Sequence, residues 1–476
     1  MLSQGPLSRP PESPGNLTTE INRKAQTHLM LGSRAFRSVL RGSISRTRTW
    51  QSQRYFTQNG LQSTTSKRTS IAQPARTNKS RGLATAAIPS FLVPPLMFIG
   101  LLVGLWTWKC FWIIIMQNKL LYLTWLPPFT RSEVISDYEA ECKPVKWEEK
   151  QIRSLDGTKL AICEGRIPAT LRDIKSLPND TLKDQNQVPN SKRNKSVVIC
   201  YFQGNGGSTP MRLPLLSHVL RAISETSKFS SSRTSEPGDT EYTIVALSYR
   251  GYWTSSGRAT QSGLEMDAQA CLNWVSESYG GPQTDLEIVI WGHSLGAAVA
   301  SSAVPTYIAR QNQELSSNTK SDRPLAPVSR LILEAPTSSI KEMLISLYPQ
   351  KWLPYRYLWP FSWNTWDIKT SMKQMATWRD QDGDMERSGP EGRNSKSDAA
   401  GIRSRSVPPI FLLSAEKDEV IPSYVPGQLE KQAKSLGLRI ETKNVLGAMH
   451  TEAPLKLDGR KALVGFILNG PSTPKT

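Results

Sequence analysis

Residues 286–304 read L-E-I-V-I-W-G-H-S-L-G-A-A-V-A-S-S-A-V. The opening residues are a short run of mostly branched and aromatic side chains, the pattern of a strand buried on both faces. The closing residues are small, uncharged and mostly apolar, and suit a helix packed close to its neighbours. Between them lies Gly292-His293-Ser294-Leu295-Gly296, a G-x-S-x-G spacing. That spacing belongs to a sharp strand-to-helix turn, where a side chain at either glycine would collide with nearby backbone. The turn exposes the Ser294 hydroxyl at a helix N-terminus, whose dipole favours developing negative charge. A chance glycine turn is the bland alternative, and the strand before and helix after argue against it.

A serine hydroxyl needs a base to become a nucleophile. The chain has four histidines. His28 lies in a polar leader, His218 in a helical pattern ahead of the serine, and His293 inside the turn itself. His450 follows a strand-like run near the C-terminus, and it alone suits the chain order serine, acid, histidine. The acid is expected after a strand between Ser294 and His450. The run I-F-L-L-S-A-E-K-D-E-V-I-P from Ile410 to Pro422 offers Asp418, with Glu416 and Glu419 as local competitors and Glu334 as a runner-up. An oxyanion hole needs two backbone N–H groups. Leu295, directly after the serine, supplies one. The loop Gln203-Gly204-Asn205-Gly206-Gly207 supplies the other, at Asn205; a plain glycine turn is the alternative.

Around this centre the pattern is α/β. Strands are predicted at Val197–Phe202, Tyr242–Tyr249, Glu287–Trp291, Arg330–Leu333 and Ile410–Ser414, alternating with helical stretches, which argues for a mostly parallel sheet. Four polar stretches interrupt it, at about 167–196, 227–240, 312–323 and 380–406, and read as surface insertions. They dilute the apolar fraction to 38 % of the 476 residues.

The net charge of +19 invites a nucleic-acid reading. Its distribution does not support one. From Ile21 to Ala86 there are 13 Lys and Arg and no acid, so the excess belongs to a leader covering 1–86. Arginines spaced by apolar residues between Met30 and Phe56 have the composition of a mitochondrial presequence; a polybasic tail is the alternative. Residues 91–116 are almost wholly apolar, with Lys109 the one charge, and are long enough for one membrane span. The soluble domain is expected over 122–470. Five scattered cysteines with no C-x-x-C pair and so few histidines imply neither a disulfide framework nor a metal site, and no cofactor is implied.

The order of Gln203–Gly207, Tyr249-Arg250-Gly251-Tyr252, Ser255–Gly257, Gly263-Leu264, Asp267-Ala268, the serine turn and Asp418–Pro422 resembles the membrane-tethered α/β-hydrolase-domain proteins. Tyr348–Tyr357 is most similar to the bud-emergence-type fungal branch, related to lysophospholipid and monoacylglycerol lipases and to protein depalmitoylases. The resemblance spans about Tyr122 to Leu468. It implies the α/β-hydrolase fold, a Ser294–Asp418–His450 triad and a structural role for Asp267 at a helix start. Two departures stand out: Gln203-Gly204 where the family usually has His-Gly, and Trp253 where it usually has Gly.

The expectation is a single-pass membrane serine hydrolase cleaving an ester of a membrane-associated acyl lipid, with no nucleic-acid partner. The rivals are a protein palmitoyl thioesterase and a non-catalytic interaction module on the same anchor. The aromatic cluster between Tyr348 and Trp366 suits a cap that grips an acyl chain or touches the bilayer; a packed lid without ligand contact is the alternative. The mitochondrial inner membrane is the expected location, with the endoplasmic reticulum, suggested by sequons at Asn179 and Asn194, as the competitor.

Overall fold

In the computed structural model the described residues are 89–168, 194–231, 240–281, 283–316, 325–387 and 407–471. The basic leader, the presequence reading, the Asn179 sequon and most of the polar insertions lie outside them, while Asn194 of the second sequon opens the strand Asn194–Phe202. Three helices run into the polar stretches before the description stops, ending at Ser231, Ser316 and Arg387.

The first long helix, α1 (Val93–Ile115), lies in an apolar stretch, Ser90–Ile115, of mean hydropathy 1.9. At 1.5 Å per residue its 23 residues reach about 35 Å, enough for a hydrocarbon core of about 30 Å. By length and composition α1 can cross a membrane.

The body that follows is built on eight strands: β1 (Lys146–Arg153), β2 (Lys159–Arg166), β3 (Asn194–Phe202), β4 (Glu241–Ser248), β5 (Thr284–His293), β6 (Val328–Glu334), β7 (Ile410–Ala415) and β8 (Ile440–Val445). They form one sheet in the order β1-β2-β4-β3-β5-β6-β7-β8. Only β2 runs against the others. This is the α/β-hydrolase fold. The five strands expected from the sequence are β3 to β7. The sequence reading missed β1 and β2, because K-W-E-E-K-Q-I-R in β1 is mostly charged and its strand nature comes from pairing with β2.

The period of two decides which side each residue faces. Val198, Cys200 and Phe202 of β3 enter one apolar core, with Ile288 and Ile290 of β5. Val197, Ile199 and Tyr201 enter the other, with Val289 and Trp291. The first core is closed by α4 (Gln261–Tyr279), α5 (Leu295–Ser316), α7 (Ile368–Arg387) and α8 (Tyr424–Ser435), the second by α3 (Leu213–Ser231) and α9 (Leu457–Asn469). Fully burying each such side chain contributes about 1.5–3 kcal/mol. The short helices α2 (Gln117–Tyr122) and α6 (Ile340–Leu347) add Tyr122 and Ile340 to the first core.

Asp267 sits fully buried in α4. Its carboxylate accepts from the Arg250 guanidinium at 2.7 Å, the Arg250 backbone N–H at 2.9 Å and the Ser154 hydroxyl at 2.7 Å. It ties the turn after β4 to the β1–β2 hairpin. Removing one partner of a buried pair strands the other's charge. Asp267→Ala is expected to cost about 3–5 kcal/mol, read as a fall in denaturant midpoint; a change under about 1 kcal/mol would contradict a structural role.

Candidate active site

Ser294 stands between the last residue of β5 and the first of α5, with φ at +54°. A serine in the left-handed region costs roughly 1–2 kcal/mol, and such strain concentrates at functional turns. The two glycines explain how the turn is possible. A Cβ on Gly292 would lie 2.1 Å from the Gly296 carbonyl oxygen, and one on Gly296 would lie 2.0 Å from that of Phe202. Helix α5 therefore leaves the sheet in direct backbone contact with the end of β3. The Ser294 N–H donates to the Glu334 carbonyl at 2.8 Å, which fixes the turn on β6 as well.

Asp418 follows β7, and His450 follows β8. Both Asp418 oxygens contact His450 Nδ1, at 2.8 and 3.0 Å. Asp418 Oδ1 also accepts the N–H groups of Val420 and Ile421, at 2.9 and 2.7 Å, so the carboxylate is aimed by its own turn. This arrangement selects the tautomer with the proton on Nδ1 and leaves Nε2 as the acceptor. The competing glutamates bind backbone on the histidine's loop. Glu419 accepts from the His450 N–H at 3.1 Å, and Glu416 from the Gly447 N–H at 2.8 Å. The rings of His450 and His293 lie 5.1 Å apart, which brings the acid–histidine pair to the serine turn.

Glu334, the runner-up acid, is fully buried and accepts from Trp291 Nε1 at 2.9 Å. Burial raises its carboxyl to about 8, against partial relief from Arg212 and the Trp291 hydrogen bond. Burial also holds His293 well below its ordinary range, helped by Arg212 and His450. At neutral pH both are uncharged, so their 4.0 Å approach is a contact of two neutral groups rather than an ion pair. Glu334 thus backs the turn while Asp418 meets the imidazole.

The loop Gln203–Gly207 is held from a direction the sequence did not reveal. The segment after α2 passes against it: the Gly206 N–H donates to the Tyr122 carbonyl at 3.1 Å and the Gly207 N–H to Leu126 at 2.7 Å. Asn205 Nδ2 donates to the Leu121 carbonyl at 3.2 Å. Tyr122 is buried, its hydroxyl donating to Asn364 Oδ1 at 2.7 Å and accepting from Trp366 Nε1 at 3.1 Å. Gln203 accepts from the Thr209 hydroxyl through its side chain and from the Tyr249 hydroxyl through its backbone, both at 3.1 Å. The Gln203 departure therefore leaves the loop anchored. Trp253 has a φ of +40°, which explains why a glycine suits that position. Here the indole is buried and donates to the Glu133 carbonyl at 2.8 Å, offsetting the strain.

Comparison with known proteins agrees with the sequence resemblance. Residues 221–342 match a family described as Chlamydia CHLPS protein (DUF818). The chain is similar to Protein bem46 of Schizosaccharomyces pombe, 25 % identical over 54 % of this chain and 61 % of that one. It is also similar to lysophosphatidylserine lipase ABHD12, 26 % identical in Mus musculus (52 % of this chain, 48 % of that one) and 32 % in Bos taurus (40 % and 38 %). The chain thus spans about half the length of these curated relatives. Among solved structures, an alpha-beta hydrolase from Vibrio vulnificus aligns at 16 % identity over 75 % of this chain and 92 % of its own, with a TM-score of 0.45. The fold assignment rests on the strand order and the serine turn.

Glu334 gives the site a pH signature. Its folded-state value lies above its ordinary 4.5, so the folded protein binds the extra proton between the two values. Stability should fall as pH rises from about 4.5 through about 8 and level off above. His293 acts oppositely, losing stability as pH falls below its ordinary 6.5. Between pH 6.5 and 8 the slope belongs to Glu334, and Glu334→Gln is expected to flatten it in denaturant titrations. An unchanged slope would contradict the assignment.

Proposed function

We propose that this chain is a membrane-anchored serine hydrolase that cleaves an ester of a membrane-associated acyl lipid, of the lysophospholipid or monoacylglycerol kind. The observation that carries the reading is the contact of both Asp418 oxygens with His450 Nδ1 beside a strained serine turn. In this reading His450 Nε2 takes the Ser294 proton and the serine oxygen attacks the ester carbonyl. The N–H groups of Leu295 and Asn205 stabilise the oxyanion. Asp418 holds the imidazole and stabilises the imidazolium. Collapse breaks the ester bond, and His450 returns the proton to the leaving alcohol. Water, deprotonated by His450, then releases the fatty acid and restores Ser294.

Two observations support a lipid substrate. The relatives in Mus musculus and Bos taurus are named as lysophosphatidylserine lipases. Helix α1 is long and apolar enough to cross a membrane, where acyl lipids reside. The basic leader, without acids from Ile21 to Ala86, supports the mitochondrial inner membrane over the endoplasmic reticulum. An endoglycosidase-sensitive mass shift on the cellular protein would overturn that location.

The test is a hydrolysis panel on the full chain in lipid vesicles: lysophosphatidylserine, lysophosphatidylcholine, monoacylglycerol and a palmitoyl thioester peptide. A lysophospholipid or monoacylglycerol should be the best substrate, and Ser294→Ala should lower its kcat by about 10⁴–10⁶-fold. Preference for the thioester would favour the depalmitoylase instead. Turnover unaffected by Ser294→Ala would sink the mechanism.

A further inference from the structure

The large exposed aromatic side chains outside α1 are unevenly spread. Trp352, Tyr357, Trp359, Phe361 and Trp363 fall within one stretch, 352–363, and Trp125 and Phe129 follow closely on α2. Phe361 and Trp363 are 59 % and 63 % exposed. Apolar area left in water forfeits about 25 cal/mol per Å², so a concentration of it marks a contact surface. The polar groups among these rings narrow the choice of contact. Lys341 Nζ lies 4.1 Å from the Trp359 ring centroid. Indole rings beside an ammonium suit the headgroup level of a bilayer, where one end of each group is apolar and the other wet.

Gln117 sets the level of this surface. Its amide Oε1 accepts the Trp363 N–H at 2.7 Å and its Nε2 donates to the Phe361 carbonyl at 3.3 Å. Asn118 Oδ1 accepts from Asn364 Nδ2 at 2.7 Å, and the Tyr122 hydroxyl donates to Asn364 Oδ1. The turn 361–364 is thus bonded to the first residues after the apolar helix, which ends at Ile115. At 1.5 Å per residue Gln117 stands roughly 3 Å beyond that end. The headgroup layer on each side of a bilayer is about 5–7 Å thick. Groups held on Gln117 by hydrogen bonds share that layer.

We propose that the aromatic face of Trp359, Phe361 and Trp363 docks on the bilayer that α1 crosses, at headgroup depth. The inference goes beyond the proposed hydrolysis and does not depend on it. The occupant is lipid because the face is bonded to the end of the chain's own span, where a second protein would have to displace lipid to reach it.

The test uses the full chain reconstituted in phosphatidylcholine vesicles that contain a photoactivatable phosphatidylcholine, its diazirine high on the acyl chain. After illumination, adducts are mapped by mass spectrometry. Phe229, 65 % exposed in α3, is the internal control. Adducts on the peptide carrying 359–363 should exceed those on the Phe229 peptide by roughly tenfold. Adducts confined to α1, with 359–363 no higher than the control, would overturn the proposal and give the face to a protein partner. Hydrolysis of p-nitrophenyl butyrate by the same vesicles separates the two claims. Adducts without hydrolysis would keep the docking face and remove the hydrolase reading, and hydrolysis without adducts would do the reverse.

Discussion

The backbone contact between Gly296 and the end of β3 is the constraint on which the rest of the site depends. No Cβ fits there, since the Phe202 and Gln203 carbonyl oxygens stand 2.0 and 2.5 Å from where it would be. Because α5 starts against β3, the Leu295 N–H and the Gln203–Gly207 loop are fixed near one another. Because β5 ends in the same contact, Ser294 must turn back with a positive φ. The Ser294 hydroxyl and the Leu295 N–H are then set by main-chain packing. Electrostatic stabilisation of a transition state needs donors that do not reorganise.

Around that contact the chain uses two kinds of support. Behind the turn, Glu334 and His293 are buried and neutral, filling space and donating or accepting without adding a charge that would compete with Asp418. In front, the segment after α2 grips the Gln203–Gly207 loop through main-chain hydrogen bonds at Gly206 and Gly207. Tyr122 joins both roles, its carbonyl accepting from Gly206 and from the Tyr252 hydroxyl, its own hydroxyl reaching Asn364 and Trp366. The residues that follow the apolar helix are therefore built into the Gln203–Gly207 loop rather than acting as a slack tether.

Much of this was legible in the sequence where a residue type is forced by sterics or chemistry. Gly292 and Gly296 announce the turn because nothing larger fits. Four histidines leave few choices for a base, and a carboxylate after a buried strand leaves few for its partner. The α/β-hydrolase fold follows from β3 to β7, whose runs are apolar on both faces. The strap around Tyr122 was not legible, because its partners lie far away in the chain: Leu121 to Asn205 spans 84 residues and Gln117 to Phe361 spans 244. Polar residues at a helix end look the same in sequence whether they face water or a distant loop. β1 was missed for a related reason, since its five charges in eight residues resemble a solvated surface, and the apolar centre of β2 is only four residues long, L-A-I-C.

The central claim is that Ser294 is an activated nucleophile, and covalent labelling tests it most directly. The full chain in lipid vesicles would be treated with a fluorophosphonate, digested and mapped by mass spectrometry, with a heat-denatured sample alongside. One phosphonylated serine, Ser294, is expected in the folded sample and none in the denatured one. A folded protein that takes no label, or takes it at another residue, would contradict the account and return the chain to the reading of a membrane-anchored interaction module.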